Sequence, residues 1–168
     1  MGKVHSLVVA LTLASVPAAA HVVISPRYAD MGRPAVLSFW VPEGCAGSPT
    51  TSLSISIPAS ITFAKPQPKA GWTIEFEHEP LAEPIPVEDI VQTERVSRII
   101  FKGPAVPDSQ FEQFTILMKL PPQAGPLRFP AVQTCVQGTR NWTEIPSAAN
   151  AGTGLRHPAP TLTLTEPR

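Results

Sequence analysis

One histidine, His21 in "VPAAAHVVIS", stands directly behind three alanines near the start of the chain, and its chemistry depends on whether the polypeptide is cut just before it. Lys3 supplies a positive n-region, Ser6 to Val16 an apolar run of h-region length, and Ala18 to Ala20 an A-x-A cleavage site. Together these read as a secretory signal peptide over residues 1–20. Cleavage after Ala20 would give His21 a free α-amine beside its imidazole, a bidentate nitrogen chelate. Nitrogen donors of this kind suit Cu(II), which heads the divalent affinity series. The amine, with a reference pKa of ~7.7–8.0, must lose its proton to bind. Affinity should therefore fall with pH. Signal peptidase tolerates many residues after its cut, so this stretch alone favours chance over chelation.

Other reactive side chains are few. His78 and His157, the remaining histidines of residues 21–168, sit in polar, proline-flanked contexts that predict exposure to solvent. If either met His21, the site would become a two-histidine brace of the kind found in copper oxygenases, but no spacing supports it. Cys45 and Cys135, an even pair in an exported chain, read as a disulfide. Closing a loop of roughly 90 residues is worth about 4–5 kcal/mol in the chain-entropy model. A thiolate metal pair has less support, because neither cysteine has a CxxC partner or a flanking histidine. The chain carries no G-x-S-x-G, H-E-x-x-H, P-loop or dinucleotide fingerprint. Its three methionines are too few for a Met-rich Cu(I) site.

The elements that would position these groups are strands. Alternation with period two recurs in "SLSISIP", "GWTIEFEH", "FTILMKLP" and "PTLTLT", and "AVLSFWVP", "SRIIFKG" and "LRFPAVQTC" are further strand candidates. Trp40 and Trp72 are assigned to the core on their apolar neighbours. The 21 prolines argue against long helices. The expected architecture is all-β, a single antiparallel β-sandwich of the immunoglobulin or cupredoxin kind over residues 21–168. Glu79 to Glu94 reads as a long surface loop or an edge excursion, and "SAANAGTGLRHPA" as a connector before the last strand. Formal net charge is zero, which gives no reason to expect a nucleic-acid partner, and no stretch after residue 20 approaches the ~20 apolar residues of a membrane span.

An "AHV" start, then "VPEGCAGSPTT", "IPASITFAKPQPKAGW", "FEQF", "LRFPAVQTC" and "NWTEIP", in that order, resembles the YcnI-like family of bacterial exported copper-binding domains. The resemblance implies Cu(II) held by a one-histidine brace: amine and imidazole of the first residue, a nearby acidic side chain, and a Trp against the metal. His21 matches the brace and Trp142 the late Trp. A lone Trp in a sandwich is otherwise a core residue. The family's acidic position falls in "FEQF", where Gln113 occupies the slot and Glu112 precedes it. Neighbours on a strand face opposite ways, so Glu112 replaces that acid only with a bulge or register change. A Gln amide oxygen is the weaker donor, so Gln113 in that slot predicts lower Cu(II) affinity. For both residues, a solvated strand position is an equal alternative.

These readings converge on a periplasmic, non-catalytic Cu(II)-binding protein acting in copper acquisition, delivery or homeostasis. Its expected partners are another exported copper chaperone or a membrane copper transporter. The rivals are a copper-dependent oxidase or oxygenase using the same chelate, and a metal-free interaction sandwich.

Overall fold

The computed structural model describes residues 21–87, 89–147 and 153–167. The proposed signal segment lies outside them. Twelve strands follow one another: β1 (Val23–Ser25), β2 (Tyr28–Asp30), β3 (Pro34–Val41), β4 (Thr50–Ser56), β5 (Ala64–Pro66), β6 (Thr73–Val87), β7 (Ile90–Val106), β8 (Glu112–Lys119), β9 (Gly125–Arg128), β10 (Ala131–Cys135), β11 (Thr139–Trp142) and β12 (Thr161–Thr165). One sheet runs β1-β3-β8-β5, a second β11-β10-β4-β7-β6, and a small third β2-β12-β9. No helix occurs among the described residues. Pairing is antiparallel throughout the first two sheets, whereas β2 joins β12 in parallel.

Period-two alternation decides which side chains enter the sandwich. Leu37, Phe39 and Val41 of β3 and Phe114, Ile116 and Met118 of β8 point inward from the first sheet. Leu53 and Ile55 of β4 and Ile99 and Phe101 of β7 meet them from the second. Leu162 and Leu164 of β12 add the third sheet to the same core. The same rule corrects one expectation. Trp40 lies between the inward Phe39 and Val41, so it faces outward and is 41% exposed. Trp72 does pack inward, edge-on to Phe114 at 4.9 Å and against Gly103, where any side chain would collide with the indole.

Residues 79–94 form an excursion at a sheet edge. β6 and β7 continue as a hairpin arm with register shifts at Glu77/His78 and Pro80/Ile85. β6 is an edge strand, the place where Pro80, Pro84 and Pro86, which lack an N–H, are tolerated. Arg95 anchors the arm's base. Its guanidinium is buried, donating to Glu79 at 2.7 Å and to the carbonyls of Ile57, Pro58 and Val96.

Cys45 and Cys135 form a disulfide with Cα atoms 6.0 Å apart, tying the turn after β3 to the end of β10. That turn is tight, and Gly44 is required in it because a Cβ would run into the Ser48 carbonyl.

Candidate metal centre at His21

His21 precedes β1 by two residues. In the β1–β3 ladder Val23 pairs with Trp40 and Ile24 with Phe39, so the same register carried back brings His21 level with Pro42, next to Glu43. A second element reaches His21 from the far end of the chain. The imidazole Nε2 lies 3.1 Å from the carbonyl oxygen of Arg156. A carbonyl only accepts, so this contact is a hydrogen bond only when Nε2 carries the proton. The lone pair then resides on Nδ1. Nδ1 is also the ring nitrogen that can close a chelate with the amine of the same residue, since Nε2 points away from the main chain.

The segment supplying that carbonyl is strapped down by Glu144. Its Oε2 accepts from the amides of Arg156 at 2.7 Å and His157 at 3.0 Å. Its own main chain completes the strap, Glu144 N–H donating to His157 O and Glu144 O accepting from Ala159 N–H. The Glu144 carboxyl is held below the ordinary carboxylate value, chiefly by the His157 amide; partial desolvation opposes this and the Arg156 amide adds to it. His157 is thereby brought against Trp142, ring centroids 5.2 Å apart, and His21 approaches the same indole at 5.6 Å, nearly perpendicular. His157 is thus half-buried beside the indole rather than fully solvated as its context predicts, whereas His78 is exposed.

Trp142 is only 2% exposed, and its Nε1–H donates to Gln133 Oε1 at 3.1 Å. Gln133, 1% exposed, turns its amide nitrogen to the Glu43 carbonyl at 2.7 Å and to Thr50 Oγ1 at 2.8 Å. The Glu43 carboxylate in turn pairs with Arg140 at 2.6 Å, and the Arg140 guanidinium lies 6.0 Å from the Trp142 ring. A buried network therefore joins the indole to the turn bearing Glu43, and the disulfide closes it from the other side.

Neither Glu112 nor Gln113 is brought to His21. Gln113 pairs with Trp40 and Glu112 with Val41, so β3 lies between them and β1. Two inter-strand spacings put them roughly 10 Å away. Their polar atoms are engaged locally: Glu112 with Lys69 at 2.7 Å, and Gln113 Nε2 with Ser38 Oγ at 3.0 Å. Motif position alone suggests these two residues, and the strand order β1-β3-β8 separates them from His21.

The reading of the sequence did not single out Glu43, Gln133, Arg140 and Glu144. Gln133 carried a signal, because in "AVQTC" it shares the buried face with Ala131 and Cys135 and must find partners there. Glu43 and Glu144 carried none beyond neighbouring Cys45 and Trp142. Among the described residues no three His, Cys, Asp or Glu side chains converge to hold an ion. A metal at His21 would draw on the Nδ1 lone pair and a terminal amine, donors that suit Cu(II), with Glu43 the carboxylate on the adjacent turn.

Residues 21–164 match the family described as a domain of unknown function, DUF1775. The chain belongs to the DUF1775 family. This is the domain of the YcnI-like proteins, the resemblance carried by the ordered motifs. The DUF1775 chain is also similar to a crystal structure of an uncharacterized protein from Nocardia farcinica described as having an immunoglobulin-like fold. Identity is 28%, with a TM-score of 0.66, over 86% of this chain and 97% of that one. No curated protein matches the DUF1775 chain.

Proposed function

We propose that this DUF1775 domain is an exported, periplasmic Cu(II)-binding protein that holds the ion through the amine and Nδ1 of His21 once residues 1–20 are removed. The observation that carries the reading is the Nε2 contact with the Arg156 carbonyl, which is a hydrogen bond in the tautomer a terminal chelate needs. Trp142 lies against the imidazole, and Glu43, on the turn that the β1–β3 register brings level with His21, is the carboxylate that would complete the site on releasing Arg140. Copper bound here is cargo: the protein serves acquisition, delivery or homeostasis, handing the ion to an exported chaperone or a membrane transporter. It performs no catalysis of its own.

The test starts with the intact mass of the exported protein, expected to begin at His21. Cu(II) titration by calorimetry against a competing chelator should give one ion per chain. His21→Ala should reduce affinity by more than the roughly 10–100-fold that follows loss of a supporting partner. One extra residue placed before His21 should do the same, because the amine becomes an amide. Unchanged uptake by either variant, or a different mature terminus, overturns the proposal.

A further inference from the structure

The outer face of β3 and β8 turns apolar at the end remote from His21. Val36 and Leu117 are cross-strand partners there, Pro34 and Lys119 are the next pair on that face, and β5 extends the row by setting Lys65 opposite Leu117. The β6–β7 arm stands over this end. Between them lies a cavity of about 460 Å³, walled by Phe63 and Leu117 from the sheet and the loop before β5, and by Ile85 and Val87 from the arm. Small-molecule sites span roughly 300–1,000 Å³, and this one falls among them.

A strut keeps the two walls apart. Gln92 Nε2, on the arm, donates to the Thr62 carbonyl at 2.9 Å and to the Glu94 carbonyl at 2.8 Å, which props the arm against the loop before β5. Leu117 is left 39% exposed and Val87 41%. Hydrocarbon inserted between such walls removes apolar surface from water on both sides. The charge in the lining has one sign, because Lys119 belongs to it and no carboxylate does among the described residues. Neither Lys119 nor Lys65 has an ion pair among those residues. Lys65 Nζ stands 5.3 Å from the centroid of Phe63 and so brings a second ammonium to the rim. The Lys119 amide donates to the Phe63 carbonyl at 3.2 Å, which sets this strand beside Thr62, a further lining residue whose hydroxyl can donate. Ammonium and hydroxyl donors suit a carboxylate, and the hydrocarbon walls suit a chain behind it. A sugar would press most of its hydroxyls against the walls, and a cationic amphiphile would meet like charge.

We infer that the cavity between the β6–β7 arm and the outer face of β3 and β8 binds medium-chain fatty acids, with the chain between Leu117 and Val87 and the carboxylate at Lys119. The cavity adjoins Pro34 and the register sets His21 level with Pro42, roughly 25 Å away along β3, so the two sites are independent. The test is a nitrogen-15 NMR titration of the metal-free exported protein with octanoate, decanoate, octanol and octyltrimethylammonium, each kept below its micelle concentration. Shifts with the two acids should concentrate on residues 62–63, 85–87 and 117–119. Each methylene buried tightens binding by up to about fourfold, so decanoate should exceed octanoate by roughly tenfold. Lys119→Ala should weaken octanoate by about two- to fivefold, as loss of an exposed ion pair does, and leave octanol unchanged. Lys119→Arg should retain the binding, and Leu117→Ser should weaken octanoate and octanol alike. Both side chains are exposed, and a spectrum preserved elsewhere verifies the fold. The inference is overturned if the acids leave these residues unshifted, if chain length makes no difference, or if Lys119→Ala binds octanoate as well as the parent. Tighter binding of octanol or of the cationic amphiphile than of octanoate overturns it too. Concentration-dependent dimerisation abolished by Leu117→Ser would do the same, assigning the cavity to a second copy.

Discussion

Trp142 and Trp40 put the same side chain to opposite uses. The Trp142 indole is 2% exposed and its N–H ends on Gln133, an amide engaged at both ends inside the sandwich. Trp40 is 41% exposed and stands beside Phe111 among solvent-facing hydroxyls. A satisfied buried network holds one geometry, because leaving any member unpaired away from water is unfavourable. A partly exposed aromatic such as Trp40 has no such constraint. The His21 end is therefore the more tightly constrained, whereas the outer β3–β8 face meets solvent.

The largest effect expected at the His21 end comes from removing its clamp. Cys45→Ser with Cys135→Ser should lower stability by about 2–5 kcal/mol, read from urea unfolding. Gln133→Ala should come next, at about 1–3 kcal/mol for each buried group left unsatisfied. The loss should include a change in the Trp142 fluorescence environment; an unaltered midpoint would show that the network is not what fixes the indole. Glu144→Gln should weaken Cu(II) binding by roughly tenfold, through a looser Arg156–His157 strap, and speed amide exchange at those two residues. Its pH dependence has a definite sign. The folded-state pKa is lowered, so the stabilisation is complete above the ordinary carboxylate range and disappears as pH falls through the lowered value. The variant should lack that acid-side loss. The smallest effects belong to the outer face: Trp40→Ala within about 0.5 kcal/mol, as for other exposed sites, and Glu112→Gln within about 1 kcal/mol with unchanged Cu(II) affinity.

Much of the fold follows from alternation. The inward triads of β3 and β8 and the disulfide pair are legible because strand period and cysteine count each leave few alternatives. Trp40 has apolar neighbours that suggest the core, but its phase between Phe39 and Val41 turns it outward. Most of the site was harder to read. Its members come from β10, β11, the turn after β3 and the segment around residue 156, and local pattern does not reveal which strands become neighbours. Motif order pointed to Glu112 and Gln113, yet β3 intervenes between β8 and β1. The strap by Glu144 depends on main-chain amides, to which side-chain patterns are blind.

The contact between His21 and Arg156 spans 135 positions of the polypeptide. Joining such distant parts carries a large ordering penalty, which only a nearly finished structure can offset. A chain interrupted during synthesis, or clipped ahead of its last strand, would own the imidazole and the indole without the cradle that aims them. The cradle around His21 thus assembles only when the segments preceding β1 and β12 meet.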